Sequence, residues 1–165
     1  MCVGSMVEEV NIPEERKAVL IGKEGSVRSE LERKSRTVIG IGDGVVIEGD
    51  DPIMVMKAAE VVKAIGRGFS PEKAMLLLGD DYELRIVTLR GETDRAIKRL
   101  MARVIGSKGA TRKILERDTN CLVSVYGKTV SLIGRHEEVQ AAEDAVEELL
   151  KGRSHGFVYS RLRKK

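Results

Sequence analysis

Apolar positions along the chain fall into two rhythms, and together they mark out a series of short elements. Val7, Val10 and Ile12 mark a strand that ends at Pro13. Residues 14–21 read as a short helix. Residues 26–34 read as a second, with Val27 and Leu31 one turn apart. β-Branched residues concentrate over 37–41, Gly42-Asp43-Gly44 supplies turn chemistry, and 45–48 reads as a further strand. Asp50 or Asp51 is placed to cap a long helix with Pro52 in its first turn. Val55, Ala58, Ala59, Val62 and Ile65 form the apolar face of that helix, and Lys57, Glu60 and Lys63 are expected opposite, toward solvent.

The same order returns further on. Residues 82–89 alternate like a strand, 93–105 and 110–117 read as helices, and 121–126 and 129–133 as a hairpin around Gly127-Lys128. Residues 137–150 read as a closing helix. Between the halves, Gly66-Arg67-Gly68-Phe69-Ser70-Pro71 breaks the pattern, and 71–78 reads as a linker helix capped by Ser70.

Aligning the chain with itself explains the recurrence. Val19-Leu20-Ile21-Gly22-Lys23-Glu24-Gly25 matches Arg103-Val104-Ile105-Gly106-Ser107-Lys108-Gly109 at an offset of 84 residues. At that offset Arg28 falls on Arg112, Leu31-Glu32-Arg33 on Leu115-Glu116-Arg117, Ala58 on Ala142 and Val62 on Val146. The chain is a tandem duplication with the order β-α-α-β-β-α in each copy. Three strands backed by three helices make an α+β domain. The expected organisation is a first domain over 1–68, a linker with a short helix over 69–80, a second domain over 81–152 and a basic tail over 153–165.

Charge changes this picture only locally. The 165 residues carry a net charge of +3. The stretch from Lys151 to Lys165 holds six basic side chains and no acidic ones, so subtracting those six leaves the body at −3. Polyanion affinity must therefore come from local patches, and the basic tail is one of them. The first ten residues carry two glutamates and no long apolar run, which argues against a secretory signal. No stretch approaches the length of a membrane span, and the chain reads as cytoplasmic. Cys2 and Cys121 form no close-spaced motif, and His136 and His155 do not join them at zinc spacing, so no metal site or disulfide is assigned. No Ser-His-Asp or Cys-His set is present, and the chain is expected to be no enzyme and to need no cofactor. Gly127-Lys128-Thr129 resembles the end of a nucleotide-binding loop, but a strand follows it rather than a helix.

The duplicated Ile-Gly-x-x-Gly loop carries the chemistry. Two glycines let the backbone turn tightly and approach a phosphate without Cβ clashes. The helix that follows offers free N–H groups and the positive end of its dipole. Ser107-Lys108 suits an anion better than Lys23-Glu24, because Glu24 opposes it.

This loop, set between two short helices after a first strand, resembles that of the type I KH domain, whose GXXG loop clamps a nucleic-acid backbone. The resemblance implies RNA contacts at Ile21, Gly22, Lys23, Gly25 and Arg28 in the first copy. In the second it implies Ile105, Gly106, Ser107, Lys108, Gly109, Arg112 and Lys113. Ile21, Val38 and Ile39, with Ile105, Leu122 and Val123, are candidates for the groove or for ordinary core. KH domains usually carry an aliphatic residue three positions after the second glycine, where this chain has Arg28 and Arg112. Each arginine either reaches phosphate or base, or pairs with Glu32 or Glu116 one turn on.

The whole chain further resembles archaeal members of the Dim/Pno family of small-subunit ribosome-assembly factors. The likeness rests on the tandem spacing, on Gly66 to Ala74, on Arg28 and Arg112, and on His155-Gly156-Phe157-Val158-Tyr159. It implies binding to the 3′ region of small-subunit ribosomal RNA. The implied partners are the PIN-domain endonuclease Nob and the alpha subunit of translation initiation factor two. A protein-binding scaffold, or a general KH factor in RNA decay or transcription, is the alternative.

Overall fold

A computed structural model describes residues 4–164; Cys2 and Lys165 lie outside them. The described chain divides into two units, up to Asp80 and from Asp81 onward.

In the first unit the order is β1 (Met6–Val10), α1 (Glu14–Ile21), α2 (Ser26–Ser35), β2 (Val38–Ile41), β3 (Val45–Gly49), α3 (Pro52–Gly66) and α4 (Pro71–Ala74), the last continued by a 3₁₀ turn over Met75–Leu78. The strands form one antiparallel sheet in the order β1-β3-β2, with Val10 opposite Val45 and Ile39 opposite Ile47. Those four side chains are buried, as are Leu20, Leu31, Val55, Ala58, Val62 and Ile65, so the helices cover one face of the sheet. Asp51 is the residue that caps α3, its carboxylate accepting the Ile53 N–H at 3.0 Å.

The second unit repeats the plan: β4 (Glu83–Thr88), α5 (Asp94–Ile105), α6 (Ala110–Thr119), β5 (Leu122–Tyr126), β6 (Thr129–Gly134), α7 (His136–Leu150) and α8 (His155–Arg163). Its sheet runs β4-β6-β5, again antiparallel. Leu115, Val123, Leu132, Val139, Val146 and Leu149 fill its core. Both units are KH folds, each a three-stranded antiparallel sheet with helices on one side.

One feature differs from the expectation. Lys57 does not point freely to solvent: its Nζ donates to the Leu78 carbonyl at 3.3 Å and pairs with Asp80. The cause is the 71–78 segment, which packs on α3 with Ala74 and Leu77 buried. This also explains why Val61 and Ala64, outside the expected apolar face, are fully buried. The basic tail, to which the sequence assigned no structure, is helical from His155 and lies against α6 and α7, burying Val158.

These two segments are the same element in the two copies. Gly68 and Gly152 stand at the offset of 84 and have φ of +96° and +94°. Ser70 and Ser154 follow, each capping the next helix through its side-chain oxygen, to the N–H of Lys73 and of Phe157. An arginine secures each junction. Arg16 on α1 donates to the carbonyls of Ile65 (2.7 Å) and Phe69 (2.8 Å). Arg103 on α5 donates to those of Leu149 (2.8 Å) and Arg153. The four acceptors are equivalent at the offset of 84, whereas the two arginines sit one helical turn apart in the repeat. Each clamp satisfies carbonyls that a helix C-terminus leaves open.

Candidate nucleic-acid interface

The two glycine loops have the same backbone geometry. Gly22 has φ +73° and Gly106 +74°, the third loop residues Glu24 and Lys108 are both at +55°, and Gly25 and Gly109 lie at +77° and +76°. Three of the four residues of each loop thus have positive φ, and glycine supplies two of them at low cost. A Cβ on Gly22 would lie 2.8 Å from the Val27 amide nitrogen, and one on Gly106 2.7 Å from that of Thr111. The first glycine of each loop is thus fixed by both torsion and space. The second is fixed by torsion alone, since nothing lies within 4 Å of a Cβ on Gly25 or Gly109.

What the loops present differs. Each opens directly into a ten-residue helix, α2 or α6, and no side chain caps either helix start. The N–H groups of Gly25 and Ser26 donate to the Gly22 and Lys23 carbonyls, and those of Gly109 and Ala110 to the Gly106 and Ser107 carbonyls, so a ligand meets each helix start through the first-turn N–H groups that follow. In the second loop Ser107 and Lys108 are exposed and have no partner among the described residues. In the first, Lys23 and Glu24 are both exposed, which places a negative charge in the loop just before the positive end of α2. Ile21 is 38% exposed and Ile105 half-buried, while Lys113 is open to solvent.

Arg28 and Arg112 adopt the paired arrangement in this structure. Arg28 Nε stands 3.5 Å from Glu32 Oε1, and Arg112 Nη1 stands 3.6 Å from Glu116 Oε1. Both guanidinium groups remain partly exposed, so each can also reach outward. The two glutamates have a further task. Glu32 accepts the Ile39 N–H at 2.9 Å and Glu116 the Val123 N–H at 2.9 Å. β2 and β5 are edge strands, so each carboxylate covers an edge donor next to its helix.

Among the groove candidates, Ile39 and Val123 are core: they are 0% and 3% exposed, facing α2 and α6 from the inner side of each sheet. Alternation then places Val38 and Leu122 on the opposite face. The strand signal was read correctly, but period two admits only one of each neighbouring pair to any one face.

The sequence reading did not find Arg99, His155 or Tyr159, which gather beside the second loop. His155 Nε2 lies 2.9 Å from the Arg103 carbonyl and the Tyr159 hydroxyl 2.9 Å from the Thr111 hydroxyl. Together with Gly106 and Ser107 they line a cleft of about 430 Å³. The signal that locates α8 was present: Lys151-Gly152-x-Ser154 repeats Arg67-Gly68-x-Ser70.

No group of three or more histidine, cysteine or acidic residues that could hold a metal occurs among the described residues. No helix there is long and apolar enough to cross a membrane.

Comparison with known proteins agrees with this geometry. Residues 7–64 match the KH domain model, and residues 83–165 match a model for the second eukaryotic-type (type I) KH domain of PNO1. A KH domain-containing protein of Methanocaldococcus jannaschii is 43% identical over 161 residues, covering 93% of this chain and 71% of that protein. The crystal structure of Dim2p from Pyrococcus horikoshii is 43% identical, with a TM-score of 0.91, covering 97% of this chain and 99% of that one. A complex of a/eIF2alpha, aDim2p and rRNA from the same organism contains a chain 41% identical, with a TM-score of 0.90, covering 97% and 93%. A protein of unknown function from Aeropyrum pernix is 37% identical, with a TM-score of 0.93 over 98% and 90%.

Proposed function

Because this chain belongs to the KH-domain family of PNO1 and archaeal Dim2p, we propose that it is a non-catalytic factor that grips single-stranded ribosomal RNA during small-subunit assembly. The observation that carries this reading is the second loop: an uncapped helix start, flanked by the unpaired Ser107 and Lys108, with no carboxylate in the loop. A phosphate there takes the Thr111 and Arg112 N–H groups and the helix dipole, with Lys108 as point charge. Lys113 extends the basic surface on α6. Ile105, Gly106 and Arg112 border the same site, and affinity is expected to fall with salt as counterions are released. In the first copy Ile21, Gly22, Lys23, Gly25 and Arg28 form the corresponding, weaker site.

The ribosomal RNA in the Pyrococcus horikoshii complex favours ribosomal RNA as ligand. The family resemblance favours its 3′ region, with cytoplasmic action beside the endonuclease Nob. The same complex favours the alpha subunit of initiation factor two as a protein partner. Crosslinking in cells, with the bound RNA mapped, tests the reading: enrichment of the 3′ end of small-subunit ribosomal RNA supports it. Crosslinks spread over messenger RNA would instead indicate a general decay or transcription factor.

The first copy also supports a protein-contact reading. Glu24 sits at its loop tip, and Val7, Val38 and Val46 are exposed on the outer face of its sheet at 55%, 65% and 39%. RNase-resistant capture of the initiation-factor subunit, lost on changing Val38 to aspartate, tests this role; capture unaffected by that change contradicts it.

A further inference from the structure

The second unit has a cleft on the α5 side of its glycine loop. The wall is built by α8, which reaches α6 through the Tyr159–Thr111 hydrogen bond. Its counterpart α4 is only four residues long before it tightens into a 3₁₀ turn, and it packs on α3. The side chains differ as well. At the offset of 84, Arg99, Ser107, Thr111, His155 and Tyr159 correspond to Glu15, Lys23, Val27, Pro71 and Met75. The repeat thus keeps the phosphate loop in both copies and lines this cleft with side chains that the first copy does not carry.

We propose that the cleft lined by Arg99, Ser107, His155 and Tyr159 takes the nucleotide of single-stranded RNA that adjoins the phosphate on the second loop. The inference rests on the phosphate-loop reading above and adds a subsite to it. Four observations support a nucleotide. Ser107 lines both the loop and the cleft, so a strand held at one reaches the other without a break. Arg99 is exposed and has no hydrogen bond or ion pair among the described residues, and no acidic side chain lines the cleft. The rings of His155 and Tyr159 stand 6.0 Å apart at 60° and are half-buried. Their polar ends are held by the protein, which fixes their orientation and presents ring surface for stacking. Finally, a carbonyl can only accept, so His155 Nε2 donates to the Arg103 carbonyl. In the neutral ring Nδ1 then carries the lone pair, unpartnered among the described residues and able to accept from a 2′-hydroxyl or a base amino group.

The test compares two RNA oligomers taken from the 3′ end of small-subunit ribosomal RNA: a tetramer that spans only the loop groove, and a decamer that extends past it. Arg99→Ala, an exposed change, is expected to weaken decamer binding roughly fivefold and to lower its salt dependence by about one counterion, leaving the tetramer unchanged. A decamer carrying 4-thiouridine is expected to crosslink within the peptide spanning 154–161, and still to do so in Tyr159→Phe, which keeps the ring. Unchanged decamer affinity in Arg99→Ala overturns the subsite, as does crosslinking confined to residues 105–109. Failure of both oligomers to bind the unaltered chain overturns the phosphate-loop reading itself, and the subsite with it.

Discussion

The carboxylate of Glu116 accepts the backbone N–H of Val123 at 2.9 Å, joining helix α6 to the edge strand beside it. The same oxygen lies 3.6 Å from Arg112; in the first unit Glu32 makes the equivalent contacts with its two oxygens, Oε2 to the Ile39 N–H and Oε1 to Arg28. One glutamate therefore braces the helix that follows the phosphate loop and holds the arginine that stands where KH domains usually place an aliphatic side chain. The brace and the ion pair are separable in energy. Glu116→Ala leaves a strand-edge N–H without its charged acceptor and is expected to cost about 1.5–3 kcal/mol in urea unfolding. Arg112→Ala breaks only a partly exposed pair and is expected to cost less than about 1 kcal/mol. Its larger effect is expected on RNA affinity, through a lost phosphate contact. An Arg112→Ala protein that binds RNA as before would assign the arginine to the pair alone.

The loop glycines are expected to differ in the same assay. Gly109→Ala meets only the cost of a left-handed torsion, about 1–2 kcal/mol. Gly106→Ala adds a collision with Thr111 and is expected to cost about 3 kcal/mol or more. Equal midpoints for the two variants would contradict the close approach of Gly106 to Thr111.

Arg36 and Asn120 end α2 and α6 in left-handed conformations, with φ of +55° and +60°. Asparagine adopts that torsion at less cost than arginine. Arg36→Gly is expected to stabilise the first unit by about 0.5 kcal/mol, and Asn120→Ala to destabilise the second by about 0.5–1 kcal/mol. Thermal unfolding of the two variants checks both signs.

Much of this was legible in the sequence because the duplication displays each feature twice. The element order, the α1 limits at Glu14 and Ile21, the Ser70 cap and both loops follow from local pattern and turn chemistry. The Lys57 contact was not, because a helix face is read as solvent-facing from its own residues, and the segment that covers it comes twenty residues later. Nor was the equivalence of α4 and α8. Their side chains diverge beyond the shared Gly-x-Ser, and the arginines that clamp them, Arg16 and Arg103, are displaced by one turn in the repeat. Position-by-position alignment misses such a pair, although each arginine reaches the equivalent two carbonyls of its own unit. The cleft beside the second loop was hidden for the same reason: Arg99, Ser107 and Tyr159 come together only once α8 is docked.

Cys121 offers a test of burial. Desolvation, with Glu138 and Glu116 nearby, pushes its thiol from the ordinary 9.0 up to about 12. Below pH 9 the native and unfolded chains both hold this proton. Between pH 9 and about 12 only the unfolded chain releases it, so this contribution to stability is full below pH 9 and is lost as pH rises. The limiting slope is about 1.4 kcal/mol per pH unit. In a Cys2→Ser background Cys121 is expected to resist a thiol reagent at pH 8 until urea unfolds the chain, and Cys121→Ala to flatten the alkaline loss of stability. Rapid native labelling would contradict the burial.

The central claim is that the second glycine loop is the principal phosphate grip, and one binding titration tests it most directly. Affinity for a 3′ fragment of small-subunit ribosomal RNA is measured for the unaltered chain, for Ser107→Asp with Lys108→Asp, and for Lys23→Asp with Glu24→Asp. The account predicts that the second-loop variant loses most of the affinity, roughly a hundredfold or more by repulsion at the helix start, and that the first-loop variant loses far less. Unchanged affinity in the second-loop variant, with its fold intact by circular dichroism, would contradict it.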